Sequence, residues 1–176
     1  MDIASLIGLV GTLGMIAGAM VSSGGIGPFI DTPSMLIVIG SEYIPRGYYV
    51  IDLKNKIEWM TCPVGMVWNK NTCDGVAKKF ELKFIPEIIN IANNQLEGKW
   101  RLPTRKELES LICINCEKVK INLKFFPKTP PEPFWTNEKN FWQPKFNWIV
   151  NFLNGNTFGR YPGYKPNYIR LVRDRN

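Results

Sequence analysis

The sequence predicts an α+β chain in two parts, an N-terminal transmembrane helix followed by one small disulfide-bonded domain. Three observations carry this. No Lys or Arg precedes Arg46 and all 22 basic residues lie from there onward, so a charge-poor apolar leader passes into a strongly basic remainder. Apolar residues at helical spacing in 84–112 give way to strand-like alternation in 148–173, which segregates helices from strands instead of alternating them. Four cysteines fall in two close pairs.

The leader comprises residues 1–40, with a helix over about 3–22 and a flexible turn over 23–34. Residues 3–21 are 19 uncharged, mostly apolar positions, close to the ~20 that an α-helix needs to cross a bilayer. A cleaved signal peptide would carry a basic segment ahead of its apolar run, and here Asp2 has the opposite sign. Retention is therefore expected. At 100° per residue Ala4, Gly8, Gly11, Gly14, Gly18 and Ser22 share one face, and Gly14 with Gly18 forms a GxxxG pair suited to close helix packing. Gly is frequent in membrane helices in any case. The segment from Ser22 to Pro28 ends the helix, and the apolar run 35–39 is too short to span.

The remainder, 41–176, has room for one core. Asp2 and Asp31 are the leader's ionised side chains, so 22 basic and 13 acidic residues leave the rest at +9. Anionic partners follow: acidic lipid headgroups, sulphated or carboxylated polysaccharides, or nucleic acid, the last disfavoured for an exported domain. A basic surface also serves solubility alone. The chain contains no His, which excludes Ser-His-Asp and Cys-His sites, His-ligated metals and imidazole proton shuttles. No carboxylate pair or Gly-rich phosphate loop stands out, and neither an enzyme nor a cofactor nor a metal site is expected.

Cys62 and Cys73 flank a segment with Asn69-Lys70-Asn71 turn chemistry, and a local disulfide closing a hairpin-like loop is the simplest reading. Cys113 and Cys116 form a CxxC, which can be a bridge, a redox centre or half of a zinc site. Ten residues separate the first pair where zinc sites have two to four, and no thioredoxin-like βαβ pattern surrounds the second. Of three possible pairings, neighbours are favoured. Residues 84–94 read as a helix, and Thr104 with Glu107 is a capping box opening a second after Pro103, its stripe continued by Leu108, Leu111 and Ile112. Residues 148–152, the turn Asn154-Gly155-Asn156 and residues 168–173 read as strand, turn and terminal strand.

Trp59, Trp100, Trp135 and Trp148 fit core packing better than ligand stacking, and Arg101 and Arg170 fit bridges inside the fold. The binding candidates are Arg160, Tyr161, Tyr164 and Lys165 in the loop-like stretch 158–165, where basic and aromatic residues alternate amid Gly and Pro. The lysines at 118, 120, 124 and 128 are a second candidate, equally readable as a solvated face.

Two resemblances arise from these residues. The opening MDIASLIGLVGTLGMIAGAMVSSGGIGPFIDTPSMLIVIG resembles the start of the flagellar motor stator A subunit, but the family's second helix stops here after Gly40 and its later helices are missing. The set Glu58-Trp59-Met60, CPVGMVWNKNTCDG, Trp100-Arg101-Leu102-Pro103, Phe134-Trp135-Thr136, Trp148-Ile149-Val150-Asn151-Phe152 and Tyr168-Ile169-Arg170-Leu171-Val172-Arg173 resembles the C-terminal domain of the bacterial collagen-like adhesin, the Lcl C-terminal domain family. This implies a C-type-lectin-like or formylglycine-generating-enzyme-like fold, export, binding of sulphated glycosaminoglycans and self-assembly. No collagen-like stalk is present to support trimers.

The combined expectation is a bacterial inner-membrane, single-pass protein with its C-terminal domain outside the cytoplasm. It binds an anionic polysaccharide or an envelope protein, or forms a homo-oligomer. Basic residues after the helix run against the positive-inside rule, which acts weakly on long domains. The alternatives are a structural subunit of a stator-like or pilus-like membrane assembly and, behind it, a formylglycine-generating-type enzyme, which needs a reactive Cys.

Overall fold

A computed structural model describes residues 42–175. The predicted spanning helix, the turn after it and the packing face of Gly8, Gly11, Gly14 and Gly18 lie outside the described residues. Among the described residues no helix is long and apolar enough to cross a membrane.

In chain order the elements are β1 (Tyr43–Pro45), β2 (Tyr49–Asp52), β3 (Ile57–Met60), β4 (Met66–Asn69) and β5 (Thr72–Gly75). A 3-10 turn (Leu82–Phe84) leads into α1 (Ile85–Gln95) and α2 (Arg105–Ser110), followed by β6 (Pro133–Lys139), β7 (Phe146–Asn151), β8 (Asn156–Pro162) and β9 (Val172–Asp174). They form an antiparallel sheet in the order β1-β2-β3-β9, a β4-β5 hairpin and an antiparallel sheet β6-β7-β8.

Among the described residues the fold mixes sheet and helix with sheet predominant, and five strands precede the first helix there. The expected order of early helices and late strands is corrected here. The early strands are three or four residues long, too short to show a period of two. Turn chemistry sets their pairing instead. Buried Asp52 accepts from the Asn55 backbone N–H (3.0 Å), from Asn55 Nδ2 (2.8 Å) and from Trp59 Nε1 (3.3 Å), so one carboxylate closes the β2–β3 turn and anchors a core ring. Lys70, at φ 51°, turns β4 into β5 between Asn69 and Asn71.

Both helices form where apolar spacing and caps place them. Ile85 and Ala92 bury one face of α1, which starts with Pro86 in its first turn. The capping box of α2 is complete: Thr104 Oγ1 accepts from the Glu107 N–H, and Glu107 accepts from the Thr104 N–H (2.7 Å). Ile112 lies beyond the helix end, in a bridge to Ile121. Burial raises the pKa of Glu107, but its bonds to Arg101 and Thr104 outweigh this and hold it below the usual carboxylate range. A depressed folded-state pKa contributes stability above the unfolded value of ~4.3, lost as pH falls through the folded value. Acid titration should therefore loosen the start of α2 below about pH 4, and Glu107→Gln should remove that part of the pH dependence. An unchanged profile of amide exchange at Leu108 would refute this.

The sheet β6-β7-β8 stands between two cores. Neighbours in register alternate sides: Phe134 and Val150 face a cluster with Trp59, Leu108 and Phe126, whereas Trp135 and Ile149 face another with Trp100, Ile169 and Leu171. The segment expected as a terminal strand from 168 to 173 pairs regularly only at Val172–Asp174, Tyr168 making a single bridge to Phe134. Its residues 169–172 are all buried, because this segment passes between packed elements instead of lying on a half-solvated face.

Arg170 is wholly buried within it. Its Nη1 donates to the carbonyls of Met60 (2.6 Å) and Thr61 (2.5 Å) and its Nη2 to Thr129 Oγ1 (2.6 Å), while Phe126 lies under the guanidinium at 4.9 Å. Burial pushes its pKa down to about 9, so it enters the core as a cation at neutral pH. Arg101 bridges elements too, forking onto Glu107 (2.9 and 2.8 Å) and reaching Asp174 (2.6 Å).

Cys62–Cys73 and Cys113–Cys116 are both disulfides, with Cα separations of 5.7 and 5.4 Å. The first ties the end of the four-stranded sheet to the β4–β5 hairpin; the second closes a surface loop. Bridges of this loop size contribute ~2–3 kcal/mol by restricting the unfolded chain.

Candidate functional site

The predicted binding stretch 158–165 is not a loop: its first part is β8, the outer strand of the three-stranded sheet. A register break opposite Trp148 inserts an extra β8 residue between Phe158, which faces Ile149, and Tyr161, which faces Asn147. Gly159 belongs at this bulge by necessity, because a Cβ there would lie 2.7 Å from the Trp148 ring. Trp148, half-buried, stacks under the Arg105 guanidinium at 4.5 Å, so the strand is packed from behind through α2.

The four predicted residues divide. Arg160 is exposed, and Tyr164 (70 % exposed) and Lys165 occupy the turn after β8. Tyr161 is half-buried against Trp135, edge to face at 5.7 Å, and so supports the core more than it meets solvent. Of the second candidate group, Lys120 donates to the carbonyls of Ile114 and Cys116, and Lys128 pairs with Asp74 at 4.0 Å. Lys118 and Lys124 remain solvated.

The strongest feature was missed in the sequence. The loop between β6 and β7 presents Phe141 and Trp142, 85 % and 86 % exposed, with ring centroids 5.2 Å apart and planes at 87°. Asn140, buried at the base, holds this tip. Its Oδ1 accepts from the Trp142 and Gln143 N–H groups (2.9 and 3.1 Å), and its Nδ2 donates to the Gly159 carbonyl (2.8 Å), fastening the tip to β8. The available signal was Asn140-Phe141-Trp142-Gln143-Pro144, two aromatics inside a turn sequence, where burial is not expected.

Lys139 and Lys145 flank the tip, and Arg160 lies on the strand to which it is fastened. All three are exposed, and the ion pairs among the described residues use other cations. An open concavity of about 600 Å³ runs along β8, lined by Asn140, Trp148, Phe158, Gly159, Arg160 and Tyr161 among others, whereas Lys139 lines a separate cavity with Arg101 and Asn147. Exposed rings beside unpaired cations suit flat, anionic, hydroxyl-rich ligands. Among the described residues no cluster of His, Cys, Asp and Glu could hold a metal.

Residues 48–173 match the Lcl C-terminal domain. The chain belongs to the Lcl C-terminal domain family. This is an adhesin-type domain family, not one known for enzymes, and all four cysteines of this Lcl C-terminal domain are engaged in bridges. A 45-residue stretch is 49 % identical to Motility protein A of Cereibacter sphaeroides, covering 25 % of this chain and 18 % of that protein. No solved structure matches.

Proposed function

We propose that the chain is a membrane-anchored, exported adhesion module that binds an anionic polysaccharide at the Phe141–Trp142 tip and the adjoining edge of β8. The observation that carries this is the rigidly held, almost fully exposed aromatic pair beside Lys139, Lys145 and Arg160. Membership of an adhesin-type family and a pair of disulfides, which persist in oxidising compartments, support placement outside the cytoplasm. The apolar segment 3–21 and the similarity to Motility protein A support anchoring in a bacterial inner membrane. A C-type-lectin-like arrangement and self-association belong to the same reading.

The test is binding of the full chain, reconstituted in nanodiscs, to immobilised heparin and to uncharged dextran. Heparin should bind and dextran should not. Trp142→Ala should weaken heparin binding roughly 30-fold, as loss of a central aromatic does, and Arg160→Ala should flatten its salt dependence. Equal retention of both variants would remove the site from this surface, and equal binding of dextran would remove the anionic ligand.

A further inference from the structure

On another part of the domain, between α1 and the β4–β5 hairpin, lies a cavity of about 690 Å³. Its size falls within the ~300–1,000 Å³ of small-molecule sites. Met60, Val64, Met66, Phe80, Ile88 and Leu171 are among its walls, and Ile91, 46 % exposed, and Val67, 71 % exposed, stand at it with open surface. The Cys62–Cys73 bridge fixes the hairpin wall, and the two methionines are side chains that adapt to a flexible apolar guest.

One charged residue lines this cavity, Lys78. No carboxylate lines it, and the ion pairs among the described residues do not use Lys78. Its placement is built. Gly65, at φ +97°, approaches the Lys78 stem so closely that a Cβ would lie 2.8 Å from Lys78 Cγ, and the Lys78 N–H donates to the Val64 carbonyl (3.0 Å). An apolar chamber with a single cation on its wall complements one apolar chain ending in one negative charge.

We propose that this cavity binds a single-chain fatty carboxylate, its alkyl chain between α1 and the hairpin and its headgroup at Lys78. The site is separate from the aromatic tip, and neither reading depends on the other.

The experiment uses the full chain in nanodiscs of zwitterionic lipid, with a palmitic acid analogue carrying a mid-chain diazirine. After irradiation, adducts are mapped by peptide mass spectrometry. They should concentrate on peptides holding Met60, Met66 and Ile88. Unlabelled palmitate should suppress them; an anionic phospholipid added at equal concentration should not. The methyl ester and Lys78→Glu should each lower labelling at those peptides roughly fivefold, the scale of one partly solvated charge contact. Ala92→Trp, which fills the cavity from α1, should abolish it, and Lys78→Glu on the surface keeps the test decisive if that variant does not fold. Adducts confined to other residues, undiminished labelling by the ester or in Lys78→Glu, or suppression by phospholipid equal to that by palmitate would each overturn the proposal.

Discussion

Arg170→Ala should cost about 3–5 kcal/mol of unfolding free energy, combining a large cavity with stranded buried acceptors. The carbonyls of Met60 and Thr61 and the hydroxyl of Thr129 all receive their bonds from this one guanidinium. Those groups come from the end of β3 with the residue after it and from the segment before β6, so the side chain ties its own segment to two remote stretches of chain. Arg170→Lys should recover only part of the loss, because an ammonium lacks the planar fork that reaches divergent acceptors. Denaturant unfolding of the full chain, followed by tryptophan fluorescence, measures both. A loss under about 1 kcal/mol for alanine would mean that water replaces the guanidinium without penalty.

Trp135→Ala should be of similar size, about 3–5 kcal/mol for deleting a fully buried indole. Its effect should also reach the proposed glycan surface. Trp135 packs edge to face on Tyr161 of β8, and its Nε1 donates to the Phe80 carbonyl at 2.8 Å. Removing the ring takes the inner support from the strand that carries Arg160. Trp135→Phe should keep most of the packing and lose about 1 kcal/mol for the hydrogen bond. The pair is compared by thermal unfolding and by heparin affinity at a temperature where both are folded. Unaltered affinity in a folded Trp135→Ala protein would show that the β8 edge is held by other contacts.

Legibility in the sequence followed the range of the physical signal. The α2 capping box and the neighbouring disulfides are local patterns, and the residues that make them stand within a dozen positions of each other. The family resemblance likewise rested on short motifs and matched residues 48–173. The early strands were illegible because they are too short for alternation to register. The reading of 158–165 as a loop failed because Gly and Pro there serve a bulge and a strand end; the glycine is required by Trp148, a contact across the sheet that spacing along the chain does not display. The same reason hid the aromatic tip. Phe141 and Trp142 look like core residues by composition, and only their place at the end of a hairpin leaves them in solvent.

The sheet that contains the first strand is completed by the last. Ile57, Glu58 and Trp59 pair with Asp174, Arg173 and Val172, and the Arg173–Glu58 ion pair (2.6 Å) spans 115 positions of sequence. During synthesis, β3 therefore waits for its neighbour until nearly the whole domain has been made, and closing so long a loop is slow. A domain that reaches its native sheet only once its last strand has been made remains threadable until then. Under the proposed export, that timing would suit passage through a secretion channel as an extended polypeptide.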